Sequence, residues 1–303
     1  PYIKKSELMV RCRGFETMAQ DADHEGLFIT LTCPSKYHRA FSISGDANPK
    51  WNGATVLEAQ DYLKAVWARI RASLDRQSIR VYGLRVAEPH HDGTPHWHLL
   101  LFVEKESSQA LKDTFTRYAF EEEGDEKGAA ESRLKIVDID PTKGSATGYI
   151  AKYIAKNING EDLEQGIYGE NPILAAQKVT AWAAVWGIRQ FQQIGGAPVS
   201  VYRELRRLKP NEDNAPLFEE ARASADKSDW AGYQHAMGGI NTTLTDRPIS
   251  MVYWTEVDTT TGEIAPNQYG DLKAPSVYGL EYNGTLFNTR PHLWKISKAN
   301  EVF

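Results

Sequence analysis

Four of the chain's eight histidines, His90, His91, His96 and His98, fall within nine residues. Side chains two apart on a strand leave the same face, so His96 and His98 can grip one ion from a rigid support while Trp97 turns into packing. If a hairpin register sets Glu88 opposite His96, its carboxylate joins that face and completes a two-histidine, one-carboxylate set with open coordination positions. A slip of one residue would undo the arrangement. Such a nitrogen and oxygen set suits Mg²⁺ or Mn²⁺ with room for a phosphate oxygen, although imidazoles also take Zn²⁺. His90 and His91 stand in the turn, where the expectation is an ordinary solvated histidine.

A second constellation lies downstream. Tyr149-Ile150-Ala151-Lys152-Tyr153-Ile154-Ala155-Lys156 sets two tyrosines four apart and two lysines four apart, so on a helix each pair shares a face. Ile150 and Ile154 form a third stripe that can anchor this helix to a sheet. A phenol, with an unperturbed pKa of about 10, can attack a phosphodiester when a divalent ion draws charge from the phosphate. Lys152 is placed to stabilise phenolate or hold the phosphate, and Lys156 to contact DNA. Taken alone, the segment reads rather as a half-buried aromatic pair with solvated lysines, and it is the neighbouring histidine cluster that turns the reading toward chemistry. Softer signals for nucleic acid are the basic run that includes Arg69, Arg76 and Arg85, and the group Arg203, Arg206, Arg207 and Lys209. Solvated helix faces explain both runs almost as well, and Trp182 and Trp186 read as core.

The elements that must position these residues follow from periodicity. Leu27 to Cys33 reads as a buried strand, and Leu63, Val66, Trp67, Ile70 and Leu74 make the stripe of an amphipathic helix over Ala54 to Leu74. Ile79 to Ala87 and His96 to Val103 are two strands around the Asp92-Gly93 step, a hairpin signal. Ser107 to Phe120 is helical, Glu121 to Glu131 an acidic loop, Arg133 to Ile139 a strand, and about Ser145 to Ile158 a helix. The order strand, helix, strand, strand, helix, strand predicts an α+β fold of split βαβ, ferredoxin-like type: a mainly antiparallel sheet with helices on one face. Pro172 to Gln193 is predicted as one long helix closed by Gly195-Gly196. Past Pro210 the chain turns polar, and Arg247 to Ser297 carries short strand-like runs. The expected division is an N-terminal extension (1–26), a catalytic domain (27–209) and an accessory α/β region (210–303).

Composition bounds the classes. The 303 residues carry 35 basic and 40 acidic side chains, a net charge of −5, which excludes a uniformly basic nucleic-acid-coating protein but not a local groove. Cys12 and Cys33 make no disulfide framework or CxxC pattern, the expectation for a cytoplasmic protein. No run reaches the roughly 18 apolar residues of a membrane span. A start at Pro1 instead of Met is the expectation for an excised or processed piece.

Pro95-His96-Trp97-His98-Leu99-Leu100 resembles the His-hydrophobic-His motif of the HUH endonucleases, and Tyr149 to Lys156 resembles the paired-tyrosine motif of their two-tyrosine branch. Leu27 to Tyr37, ending Thr32-Cys33-Pro34-Ser35-Lys36-Tyr37, is similar to the first motif of phage replication gene A proteins, and Trp186 to Phe191 also resembles that family. The resemblance spans about residues 27 to 196. It implies a rolling-circle replication initiator that nicks single-stranded DNA at an origin, keeps the 5′ phosphate on tyrosine and frees a 3′ hydroxyl. By the same resemblance His96, His98 and Glu88 are the metal ligands, Tyr149 and Tyr153 the nucleophiles and Lys152 the accompanying lysine. Mg²⁺ or Mn²⁺ is the implied cofactor, a host helicase and polymerase are the implied partners, and the cytoplasm of a bacterial host is the implied location. Competing readings are an HUH transposase or mobilisation relaxase, a non-catalytic origin-binding module, and a Zn hydrolase unrelated to DNA.

Overall fold

The computed structural model describes residues 2–158, 160, 171–267 and 269–292. The chain divides into two compact units, Pro1–Gly195 and Gly196–Phe303.

In the first unit the elements run α1 (Tyr2–Asp21), β1 (His24–Thr32), α2 (Val56–Arg76), β2 (Tyr82–Pro89), β3 (Pro95–Glu104), α3 (Lys105–Ala119), α4 (Ala129–Ser132), β4 (Leu134–Asp138), α5 (Ala146–Ile158), α6 (Pro172–Val185) and β5 (Phe191–Ile194). The strands form one five-stranded sheet in the order β4-β1-β3-β2-β5, and every neighbouring pair is antiparallel. Alternation in β1 sends Leu27, Ile29 and Leu31 to one face, level with Leu101, Leu99 and Trp97 of β3. That face is covered by Leu63, Val66, Trp67 and Ile70 of α2 and by Leu111 and Phe115 of α3, which with the strands form the core. Helix α2 starts where Thr55 accepts from the Glu58 amide and Glu58 reaches back to the Thr55 amide, a reciprocal cap that satisfies two otherwise orphaned donors.

The expectation of helices on one face is corrected here. Phe28, Thr30, Thr32, His96 and His98 face the other way, and α1 and α5 cover that side: Phe15 of α1 meets Tyr82 at 5.6 Å, and Tyr153 of α5 stacks on Phe28 at 5.1 Å. The segment read as an N-terminal extension is mostly α1, whose Leu8, Cys12, Phe15 and Ala19 are buried at helical spacing. The single helix expected over Pro172 to Gln193 is also corrected. It stops at Val185, Gly187 takes φ +61°, and Phe191–Ile194 turns back as β5 on the edge of β2. An open sheet edge offers backbone partners that a helix in solvent does not, and glycine alone enters the left-handed turn cheaply.

The second unit holds α7 (Val199–Leu205), α8 (Pro216–Asp226), α9 (Trp230–Ala236), β6 (Ile249–Trp254), β7 (Ser276–Tyr282) and β8 (Thr285–Asn288), the strands forming an antiparallel sheet. Phe218 of α8 stacks on Phe287 at 3.9 Å, while Tyr202, Trp230 and Tyr233 pack edge to face. The boundary between the compact units lies at 195/196, ahead of α7. Residues 293–297 of the strand-like C-terminal run lie outside the described residues. Among the described residues no helix is long and apolar enough to cross a membrane.

Candidate metal and tyrosine site

The β2–β3 hairpin delivers the register that the histidines require. Glu88 pairs with His96 and Val86 with His98; on the other side of β3, Thr30 of β1 pairs with His98 and Thr32 with His96. Gly93 in the turn takes φ +86°, and Asp92 Oδ1 accepts from the Thr94 amide at 3.0 Å, so the Asp-Gly step closes the hairpin at a fixed length. Trp97 points to the core face as expected, its indole donating to Gln60 at 3.0 Å.

The two imidazole Nε2 atoms lie 2.9 Å apart, and Glu88 Oε2 stands 3.3 Å from that of His98 and 3.7 Å from that of His96. One ligand atom from each residue falls within 4.8 Å of the others. The second carboxylate oxygen of Glu88 accepts from the Asn157 amide, which also donates to the Tyr153 carbonyl at 2.6 Å, and Lys156 Nζ sits 2.9 Å from Glu88 Oε2. The Thr30 hydroxyl lies 3.0 Å from His98 Nδ1 and so fixes that ring. The Glu88 side chain is 1% exposed. Burial would raise its pKa, but the His98 hydrogen bond and the Lys156 charge outweigh it and hold the carboxyl below its usual range. Burial, then repulsion from His90 and His98, keeps the His96 imidazole well below its ordinary value. An ionised Glu88 carboxylate and a neutral His96 imidazole are the forms that bind a divalent cation. Two nitrogens 2.9 Å apart also suit adjacent corners of a coordination sphere with bonds of about 2.1 Å. Buried His96 Nδ1 has no hydrogen-bond partner.

The tyrosine helix lies over this cluster. Its N-terminus is capped from α1: Glu16 accepts from the Ala146 amide at 2.6 Å, the Thr147 amide at 3.1 Å and the Thr147 hydroxyl at 2.5 Å. Ile150 and Ile154 are buried, and Tyr153 is brought to 4.1 Å from the His98 ring centroid. Burial, then the Glu88 charge, raises the Tyr153 phenol above its ordinary value. Tyr149, one turn earlier and half-buried, meets Phe28 at 6.3 Å. Lys152 is exposed, its ammonium 5.0 Å from the Tyr153 ring centroid.

Glu88, His96, His98, Tyr153 and Lys156 thus converge, with Tyr149 and Lys152 alongside. Lys156, expected on DNA, is ion-paired to Glu88. Arg69 and Arg76 ride on α2 on the far face of the sheet, Arg69 paired with Glu121 at 2.7 Å. Arg85 is corrected from a DNA contact to a core residue: it is 3% exposed, lies 4.1 Å over the Trp97 ring and donates to the Arg189 carbonyl at 2.6 Å. Its place on β2 level with Leu99 turns it into the face covered by α2 and α3. Arg203 and Arg206 are exposed on and just after the last turn of α7, in the second unit. The turn histidines are packed and not free in solvent. The His90 ring lies tilted against His96 with centroids 4.0 Å apart, its pKa pushed down to about 4 by burial and then by His38, and His91 Nε2 lies 3.2 Å from the Ala40 carbonyl. Sequence reasoning missed Thr30, Asn157 and Glu16. Thr30 was marked by polarity inside an apolar strand, and Asn157 by its place one turn after Tyr153.

Residues 1–161 match the family described as Bacteriophage replication gene A protein. The chain is 42% identical over 310 residues to the replication protein of Haemophilus phage HP1, covering all of this chain and 38% of that protein. It is 44% identical over 314 residues to the replication gene A protein of Escherichia phage 186, covering all of this chain and 44% of the relative. A Salmonella paratyphi A protein named "Probable replication endonuclease from prophage-like region" is 37% identical over 257 residues, 79% of this chain and 32% of its own. The chain spans less than half the length of these relatives, and no solved structure matches it. With that match over more than half its length, the chain belongs to the bacteriophage replication gene A protein family.

Proposed function

We propose that this chain is the nicking and strand-transfer part of a rolling-circle replication initiator acting on single-stranded DNA at an origin. The observation that carries the reading is the placement of Tyr153 against His98, within the Glu88, His96 and His98 cluster, in a member of a phage replication family. Phosphodiester cleavage by a phenol needs a nucleophile beside charge neutralisation, and a phenol beside a cluster able to hold a divalent ion supports that reading.

Tyr149 or Tyr153 attacks the scissile phosphorus, the bond to the 3′ oxygen breaks, and that oxygen leaves as a 3′ hydroxyl, taking up the proton the phenol gives up. The 5′ phosphate remains on tyrosine. A Mg²⁺ or Mn²⁺ ion held by Glu88, His96 and His98 would withdraw charge from the phosphate. Burial and the Glu88 charge raise the Tyr153 pKa, so the resting side chain is the neutral phenol. Lys152, over the Tyr153 ring, stabilises the phenolate that develops. Lys156 balances Glu88. The second tyrosine answers the first cleavage with another, exchanging strands without ATP because each phosphotyrosine keeps the energy of the broken bond.

In this reading β1 to β4 with α2 and α3 are the ferredoxin-like core of an HUH endonuclease, and residues 27–209 its catalytic domain with an accessory region after 210. The exposed Arg76, Arg203 and Arg206 are each available to DNA phosphate, a host helicase opens the duplex while a host polymerase extends the freed 3′ end, and the reaction takes place in the bacterial cytoplasm.

The test is a labelled single-stranded DNA pool carrying candidate origins with Mn²⁺, scored for a protein–DNA adduct that survives denaturation. The expected outcome is an adduct that EDTA abolishes, that persists in one of Tyr149→Phe and Tyr153→Phe, and that is lost in the double variant. An adduct indifferent to both tyrosines would refute the mechanism.

A further inference from the structure

Beside the metal cluster, on the far side of His90, the loop after β1, the β2–β3 turn and the segment leading into α4 enclose a pocket of about 330 Å³. It is lined by Phe41, Ser42, Asn48, His90, Glu126 and Arg133, among others. Its walls are fixed. Asn48 donates to the Ser35 and His38 carbonyls at 2.8 Å each, and Arg133 is 1% exposed and donates to Glu126 Oε1 at 2.5 Å.

Two polar atoms in that wall are left over. Glu126 Oε1 is used by the Ser35 amide at 3.0 Å and by Arg133, but Oε2 is buried with no hydrogen bond, the Lys50 ammonium standing 3.8 Å from it. The Glu126 side chain is nine-tenths buried. His90 Nε2 is likewise buried without a partner. A buried acceptor that lacks a donor is costly, so each such group in a folded protein wants an explanation. Phe41, 46% exposed, adds an aromatic side chain to the lining.

We infer that this pocket receives one nucleobase of the single-stranded DNA substrate, recognised by an exocyclic amino N–H that donates to Glu126 Oε2, so that adenine, cytosine or guanine is selected over thymine, whose one edge N–H is flanked by two carbonyl oxygens that the carboxylate repels. The inference rests on the DNA reading of the site above. A flat heteroaromatic with N–H groups on its edge and π faces matches both a lone carboxylate oxygen and a neighbouring aromatic ring. The location fits, since His90 lines the pocket and also packs against His96 with ring centroids 4.0 Å apart, and Thr32, which also lines the pocket, pairs with His96 in the sheet. A phosphate at the cluster therefore brings an adjacent base within reach.

The experiment retains a randomised single-stranded DNA pool on the full chain with Mn²⁺ and sequences the bound fraction, for the native protein and for Glu126→Gln. This substitution keeps a carbonyl oxygen for the Ser35 amide and Arg133 while replacing the free acceptor by a donor. The expected result is one position at which thymine is disfavoured about tenfold or more by the native protein and no longer disfavoured in the variant, the other positions being unchanged. Should Glu126→Gln not fold, the native protein is tested with selected oligonucleotides in which each enriched base in turn lacks its exocyclic amino group; a loss of binding of about tenfold at one position is expected. Preferences identical in the native protein and the variant, or no position that depends on an amino group, would overturn the pocket while leaving the DNA reading intact. Failure of the native protein to retain any DNA would overturn both.

Discussion

A carboxylate buried beside two imidazoles and an ammonium is stable only because each oxygen is engaged: Asn157 holds one oxygen of Glu88, while Lys156 and His98 face the other. Removing one partner of such a group leaves a charge without compensation. Residues that orient a ligand in this way ordinarily change metal affinity by about 10–100-fold when lost. Asn157→Ala is therefore expected to weaken Mn²⁺ binding on that scale, read by the electron paramagnetic resonance of free Mn²⁺, and also to lower the melting temperature of the metal-free protein, because one oxygen of the buried Glu88 carboxylate is left without its donor. Unchanged affinity would remove Asn157 from the site. The histidines, Glu88 and the tyrosine pair were legible because their chemistry is written in residue type and spacing. Asn157, Thr30 and Glu16 were not, since an amide, a hydroxyl or a carboxylate acquires a role here only from a neighbour distant in sequence.

Among the elements, the tyrosine helix depends most on a remote partner. Its first amides are met by Glu16, 130 residues earlier on α1, which ties the N-terminal helix to the placement of Tyr149 and Tyr153. Loss of a cap costs about 0.5–2 kcal/mol, so Glu16→Ala should lower stability by that amount in urea denaturation and speed amide exchange at the start of α5. A variant as protected as the native helix would show that packing alone holds it. The sheet carries its own constraint at Gly83, where an added Cβ would meet the Leu100 carbonyl oxygen at 2.0 Å and φ is +150°. Gly83→Ala forces β2 away from β3, the pair that sets Glu88 opposite His96. It should lower both stability, by more than about 1 kcal/mol, and Mn²⁺ affinity; a variant that binds Mn²⁺ normally would show that the register tolerates the shift. Periodicity revealed α2, α3, β1 and the hairpin. It misjudged residues 186–193 because a sheet edge, which a sequence window cannot see, captures β5.

For the molecule as a whole, burial of the histidines makes stability depend on pH. His90, with its pKa at about 4, and His96 stay neutral when folded, whereas in the unfolded chain each takes up a proton near pH 6.5. Between these values the unfolded state binds more protons, so stability is complete above pH 6.5 and falls as pH drops toward 4, by on the order of 1–3 kcal/mol. Below that, Asp92 and Glu88, whose carboxyls are held below their usual range, lose their partners on protonation and deepen the loss. Asp92 owes its direction to His38 and Thr94 hydrogen bonds that outweigh burial. Melting temperature of the metal-free protein from about pH 8 to 4 checks this, with His90→Gln expected to flatten the upper part of the slope; a flat native profile would contradict it. The sequence by itself determined the α+β class, the hairpin and the side-chain types that gather at the candidate site, because these are local properties of alternation, turn chemistry and side-chain type. Only the tertiary structure decided that α1 and α5 close the second face, that Arg85 is core and Lys156 a partner of Glu88, and that Tyr153 rests on His98. Those outcomes depend on which side chains compete for the same buried volume and the same unpaired oxygen, and that competition exists only once distant segments are packed together.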